Sequence, residues 1–111
     1  MADEALKVVD LTPDEVRNGV AAGRYLLVDV REPHEVETEA YPEAAEMPLS
    51  VFDPAALPAA NGREVVFACR SGKRSVTASL MAQEAGYPFD KHLAGGILAW
   101  KASGNPTRLG H

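Results

Sequence analysis

The stretch VVFACRSGKRS, Val65 to Ser75, places the one cysteine of the chain between an apolar run and a turn carrying Arg70, Lys73 and Arg74. A sulfur nucleophile works as its thiolate, and a free cysteine with a pKa near about 8.5 is mostly protonated at neutral pH. Three features of this stretch favour the thiolate. A helix following the loop directs its N-terminal partial positive charge back toward the sulfur. Gly72 permits a tight loop whose successive N–H groups face inward and form an anion-binding concavity. Arg70, Lys73 and Arg74 add formal charge. The same features suit an anionic substrate and an anionic adduct on sulfur, a persulfide included. A lone cysteine at a strand end is ordinarily a packing residue, and a basic turn residue is ordinarily solvated. The conjunction points to reactivity at Cys69, with at least one of the three cations facing away.

Other motifs fail on spacing. Gly72-Lys73 ends like a phosphate-binding P-loop, but Phe67 stands where its first glycine belongs and Arg74 where Ser or Thr belongs. His34, His92 and His111 are scattered, no Cys/His pair has metal-ligand spacing, and neither a metal nor a cofactor is expected. Asn105-Pro106-Thr107 is excluded as a glycosylation acceptor by its proline. Asp29, closing an apolar strand, reads as a structural carboxylate paired locally with Arg31 rather than as an acid or base. Trp100 reads as a packing residue of the core or rim, with the pocket mouth as its other position.

The elements that must hold Cys69 follow from the chain's patterning. At 111 residues the chain reads as one domain over 1–111, with a core of about 8–104. Its net charge of -5 argues against a nucleic-acid binder. A single cysteine fits a reducing, cytoplasmic setting. MADEALKVVD has no apolar h-region, so no leader is expected, and no run is long enough for a membrane span. Leu6 to Val9 is a candidate edge strand. LTPDEVRNGVAAG is a helix capped by Thr12, with Pro13 in its first turn, Glu15 completing a capping box and Gly23 ending it. YLLVDV and EVVFA are central strands buried on both faces. REPHEVETEA is short and helix-capable. YPEAAEMPLSVF holds only a very short strand, and Asp53-Pro54 opens a short helix that stops before the Asn61-Gly62 turn. SVTASLMAQEA is a helix with Val76, Leu80 and Ala85 near one face. PFDKHL is a weaker strand, and Gly95-Gly96 opens a last helix, ILAWKASG. Strands alternating with helices predict an α/β fold with a mainly parallel sheet, whose ligands sit at the carboxyl ends of the strands. Cys69 falls at such an end.

Four segments, in order, resemble a single-domain rhodanese. LLVDVREPHEVE, Leu26 to Glu37, is similar to that family's first central strand and its Asp-Val-Arg-Glu signature. CRSGKRS resembles its active-site loop, and AGYPFDKHLAGGILAW, Ala85 to Trp100, its closing Leu-x-Gly-Gly turn before Ala-Trp. AYPEAAEMPL, Ala40 to Leu49, stands in the place of a His-Ile-Pro-Gly-Ala-x-x-Ile-Pro pattern. It keeps Pro42, Ala44 and Pro48 but has Ala40 for the histidine and Glu43 for the glycine, departures that bear on the local turn. The resemblance implies a single domain with a five-stranded, mostly parallel sheet flanked by helices on both faces. It also implies ping-pong transfer of sulfane sulfur through a persulfide on Cys69, with Arg70, Ser71, Gly72, Lys73, Arg74 and Ser75 forming the substrate cradle.

Phosphatases and arsenate reductases share that fold but resemble Cys-x5-Arg, a seven-residue loop wide enough for a tetrahedral oxyanion. Here Cys69 to Arg74 is Cys-x4-Arg, and Ser75 occupies the seventh position. The tighter loop favours sulfur transfer. A cationic loop suits thiosulfate or a persulfide as donor, with cyanide or a thiol as acceptor, a thioredoxin-like or sulfur-carrier protein among the candidates. A non-catalytic binding module, and a redox sensor built on an exposed low-pKa cysteine, remain as alternatives.

Overall fold

The computed structural model describes residues 6–110, so expectations that fall on Met1 to Ala5 and on His111 lie outside the described residues. The chain runs β1 (Val9–Leu11), α1 (Pro13–Ala21), β2 (Tyr25–Asp29), α2 (Pro33–Thr38), β3 (Glu39–Ala40), β4 (Ala45–Glu46), β5 (Glu64–Ala68), α3 (Lys73–Glu84), β6 (Lys91–Leu93), α4 (Gly96–Ala102) and β7 (Arg108–Leu109). The expected capping box opens α1: Thr12 Oγ1 accepts the Glu15 amide at 3.1 Å, and Glu15 Oε1 accepts the Thr12 amide at 2.8 Å. No helix among the described residues is long and apolar enough to cross a membrane.

Five strands form a parallel sheet in the order β1-β6-β5-β2-β4. The continuous apolar runs of β2 and β5 are explained by cover on both faces. Alternate residues Leu27, Val66 and Ala68 face a cluster with Val16 of α1 and Ile97 and Trp100 of α4. Leu26, Val28, Val65 and Phe67 face Ala78 and Ala82 of α3 on the other side. Phe67 anchors that second layer, edge-on to Phe52 and Phe89 at centroid distances of 5.5 and 6.2 Å.

Four details differ from the sequence reading. The edge strand is Val9–Leu11 rather than Leu6 to Val9, because its partner is the short β6 in the register Val9↔Lys91 to Leu11↔Leu93. The helix expected from Asp53-Pro54 is a single 3₁₀ turn, Pro54–Ala56; Leu57 precedes Pro58 and is driven to an extended ψ of 151°. α3 begins at Lys73, and its buried face is Ser75, Ala78, Ser79 and Ala82 rather than the Val76, Leu80 and Ala85 face. Small side chains bring this helix close to the sheet, and the buried Ser79 hydroxyl is satisfied by donating to the Phe89 carbonyl at 2.7 Å. Finally, the C-terminal segment folds back so that β7 pairs antiparallel with β3. The Trp100 indole N–H donates to the Pro106 carbonyl at 2.7 Å and ties down the start of this return.

The departure at Glu43 has a local consequence. Glu43 sits at φ +68°, in the left-handed region that disfavours a Cβ. Glu43→Gly removes that strain at a smaller cost in unfolded-chain entropy and is expected to stabilise the domain by about 0.5–1 kcal/mol. Urea unfolding with an unchanged slope is the measurement, and an unmoved or lowered midpoint contradicts this account.

Candidate functional site

Cys69 is the first residue beyond β5, at the carboxyl edge of the central strands. Its backbone carbonyl accepts two hydrogen bonds, from the Ile97 amide at 2.9 Å and from the Tyr41 hydroxyl at 2.6 Å. The next carbonyl, of Arg70, accepts the Leu98 amide at 3.2 Å. The first turn of α4 therefore grips the outer edge of the loop. Gly96 makes the grip possible: a Cβ there would stand 2.3 Å from the Arg70 carbonyl. Gly72 answers it from the loop side. It turns the chain at φ +100°, and a Cβ on it would stand 3.0 Å from the Gly95 nitrogen.

With the carbonyls held outward, the following amides turn in. The Gly72 N–H donates to Cys69 Sγ at 3.1 Å, and the Ser75 hydroxyl lies 3.6 Å from the sulfur. Burial pushes the Cys69 thiol up, but the Ser75 hydroxyl and the backbone N–H groups of Ser75, Gly72 and Ser71 outweigh it. The net direction is below the ordinary cysteine value. Behind Ser75 the chain of hydrogen bonds continues. Ser75 Oγ lies 2.8 Å from His92 Nδ1, and His92 Nε2 lies 2.7 Å from Asp10 Oδ1. His92 is buried, whereas the Asp10 side chain is 74% exposed.

Below the loop, Asp29 and Arg31 form a buried pair. Arg31 Nη2 donates to Asp29 Oδ2 at 2.7 Å and to the Glu39 carbonyl at 2.9 Å. The same guanidinium lies 5.5 Å from the centre of the Tyr41 ring, whose hydroxyl holds the Cys69 carbonyl. Asp29 is thus the structural carboxylate expected from the sequence.

The Rhodanese-like domain model matches residues 12–103. The chain belongs to that family. An uncharacterised protein of Synechocystis is 38% identical over 107 residues, covering 96% of this chain, and the chain spans only 60% of that protein's length. The human thiosulfate:glutathione sulfurtransferase is 32% identical over 100 residues, covering 78% of this chain and 87% of the human protein. A thiosulfate sulfurtransferase structure from Pseudomonas aeruginosa superposes with a TM-score of 0.75 at 23% identity, over 94% of this chain and 21% of that one, a likeness of fold.

In this rhodanese-like domain the fold gathers Cys69, Ser71, Gly72 and Ser75 around one sulfur, but it separates the three cations. Arg74 binds Glu35 of α2 through both guanidinium nitrogens, at 2.7 and 2.9 Å. Arg70 and Lys73 are exposed and make no ion pair among the described residues. Arg70 borders a cleft of about 370 Å³ together with Arg31, His34, Leu98 and Lys101. Trp100 is buried edge-on against Tyr41 at 5.5 Å and lines a separate hollow of about 440 Å³ with Arg17, Val20 and Pro42, to which no loop residue contributes. Cys69 is 1% exposed, so the fold does not build the exposed thiol that oxidative sensing would use.

Tyr41, His92 and Asp10 were not legible as site residues. Tyr41 occupies an apolar position of its segment, and nothing local announces that its hydroxyl reaches Cys69. For His92 the signal was a polar residue inside the weak PFDKHL strand. Only the parallel registers Phe67↔His92 and Asp10↔His92 turn that position into a neighbour of α3 and β1.

The Arg74 guanidinium and the Glu32 amide hold the Glu35 carboxyl down, at about 2 against an ordinary value of 4.5. A depressed carboxylate stabilises the fold above its unfolded pKa, and that contribution fades as pH falls through the folded value. Glu35→Gln is expected to cost about 1–2 kcal/mol at neutral pH, discounted for the partly exposed Arg74. The difference between wild type and variant should close between about pH 4.5 and 2 in acid-dependent urea unfolding; a difference that stays constant over that range contradicts the assignment.

Proposed function

We propose that this domain transfers sulfane sulfur through a persulfide on Cys69. The observation that carries the reading is a sulfur at the end of β5 ringed by the Gly72 amide and the Ser75 hydroxyl, donors that suit a thiolate and a persulfide anion alike. In the first half-reaction the thiolate attacks the outer sulfur of thiosulfate, the S–S bond of the donor breaks, and sulfite leaves with that bond's electron pair. In the second, cyanide or a thiolate attacks the outer persulfide sulfur, and Cys69 leaves as the thiolate. No external redox partner or cofactor enters either step. A small-molecule persulfide serves as donor by the same displacement.

Thiosulfate and a low-molecular-weight thiol are the pair named for the human relative, which supports them here as donor and acceptor. A thioredoxin-like or sulfur-carrier protein fits the same acceptor chemistry. We place the domain in the cytoplasm, where a lone cysteine stays reduced. Two observations speak against phosphoryl or arsenate chemistry. The loop from Cys69 to Arg74 is one residue short of the Cys-x5-Arg pattern. The Arg74 guanidinium is also committed to Glu35, so it is not free to bracket a tetrahedral oxyanion.

Incubation with thiosulfate is expected to add the mass of one sulfur atom to Cys69, removable by cyanide, and Cys69→Ser should abolish both events with the fold intact. Absence of the adduct with thiosulfate and with glutathione persulfide overturns the proposal. Lys73→Ala and Arg70→Ala are each expected to raise the thiosulfate KM about two- to fivefold with less effect on kcat, the scale of one exposed charge contact. Arg74→Ala should act mainly on stability, and a KM effect exceeding that of both other variants would show that Arg74 leaves Glu35 to meet the donor.

A further inference from the structure

Removing the proton from Cys69 requires somewhere for it to go, and the residue is 1% exposed beneath its loop. The hydrogen bonds leading away from it offer one continuous route. Sγ lies 3.6 Å from Ser75 Oγ, that oxygen 2.8 Å from His92 Nδ1, and His92 Nε2 2.7 Å from Asp10 Oδ1. The carboxylate can only accept, so the neutral imidazole carries its hydrogen on Nε2 and presents Nδ1 as an acceptor to the Ser75 hydroxyl. The hydroxyl in turn accepts the Cys69 S–H. Every donor in the row points toward Asp10.

We propose that Ser75, His92 and Asp10 form a proton relay that receives the Cys69 proton and stores it as an imidazolium behind the sulfur. This deepens the sulfur-transfer reading and rests on it for its purpose. In the step, the S–H bond breaks and its electron pair stays on sulfur. The proton passes to Ser75 Oγ as the original hydroxyl proton passes to His92 Nδ1. The product is a thiolate accepting from Ser75 Oγ–H, which itself accepts from His92 Nδ1–H, with Nε2–H still donating to Asp10. The number of hydrogen bonds is unchanged, and the Cys69 and Ser75 donors and acceptors have exchanged roles. Sulfur transfer begins and ends with an anionic sulfur, so the stored proton is not consumed in turnover; it balances the charge of the thiolate and the persulfide in turn. Ser75 touches the reacting atom. His92 and Asp10 act through it, and their part is positioning and charge.

The surroundings of His92 leave this chain as its charge partner. β1 contributes Asp10, and β5 contributes Phe67 at the paired position, with Cys69 two residues on. The loop contributes Gly72, where a Cβ would come 3.8 Å from His92 Cε1. On α3, Lys73 is exposed and Arg74 is bound to Glu35; on β6 itself, Lys91 is bound to Glu64 and Asp90. The burial of His92 contrasts with the exposure of Asp10, so the far end of the relay meets solvent.

The decisive measurement is the nitrogen NMR spectrum of the His92 ring at one neutral pH in the wild type and in Cys69→Ala. A proton stored beside the thiolate puts hydrogen on both Nδ1 and Nε2 in the wild type, and in Cys69→Ala that signature is expected to give way to the ring with hydrogen on Nε2 alone. In parallel, the midpoint of Cys69 alkylation against pH should move up in Asp10→Asn, whose exposed site tolerates the change, and in His92→Gln. A purely structural role for His92 would lower alkylation at every pH without moving the midpoint. The same His92 ring spectrum in wild type and Cys69→Ala, or an alkylation midpoint unmoved in Asp10→Asn, overturns the relay, and these two arms decide even if His92→Gln fails to fold. The relay and the transfer chemistry fail separately: persulfide formation with an unchanged ring spectrum removes the relay alone, and a changed ring spectrum without any persulfide removes the transfer reading alone.

Discussion

The backbone carbonyl of Cys69 is held from two sides, by the Ile97 amide and the Tyr41 hydroxyl, and the rest of the site follows from that constraint. A peptide plane carries its C=O and the next N–H on opposite sides. Pinning the carbonyls of Cys69 and Arg70 to the first turn of α4 leaves the later amides free to converge on the sulfur. The two donors come from distant parts of the chain, so the shape of the loop depends on α4 and the Tyr41 segment together. The loop is short because its orientation is fixed from outside.

Tyr41 is itself held by the buried Asp29–Arg31 pair. Moving two charges out of water costs several kcal/mol per ion, and their attraction offsets this only when the remaining hydrogen-bonding groups are also satisfied. Here they are: Asp29 accepts from Arg31 through both oxygens and from the Arg31 amide, and Arg31 spends a further N–H on the Glu39 carbonyl. A well-packed apolar pair could match that stability. What it could not do is bind the end of β2 to β3 while presenting a flat cation to the Tyr41 ring. The pair serves position more than net free energy, and the position it sets is transmitted through Tyr41 to Cys69.

The parts of this arrangement legible in the sequence are those specified by neighbours along the chain. Thr12, Pro13 and Glu15 cap α1 within one turn, and YLLVDV and EVVFA announce strands covered on both faces by being apolar throughout. Cys69 could be placed at a strand end, and Asp29 beside Arg31, for the same reason. The cation assignments were less legible, because whether Arg74 faces the sulfur depends on where α2 puts Glu35, thirty-nine residues away in sequence. The buried face of α3 is not legible in the sequence because hydrophobicity ranks Val76 and Leu80 above Ala78 and Ser79. Close approach to the sheet selects small side chains instead, and their hydroxyls are paid no attention by a hydrophobic count. The β3–β7 pairing rests on two residues per strand, too few for any periodicity.

This division of labour bears on how the site handles charge. The groups in direct contact with the Cys69 sulfur, the Gly72 amide and the Ser75 hydroxyl, are neutral donors at fixed positions, which a low-dielectric setting makes effective and which mobile ions do not screen. The loop's own formal positive charge lies further out, on Arg70 and Lys73 at the surface, where salt screens it within about 8–10 Å. In the proposed transfer, nucleophile and capture would thereby be separated. Ionic strength would reach the encounter with an anionic donor, while the state of the sulfur would be set by the hydrogen bonds around and behind it. A loop that relied on its own arginines to hold the thiolate would lose that independence, and Glu35 holds one of them, Arg74, in an ion pair of its own.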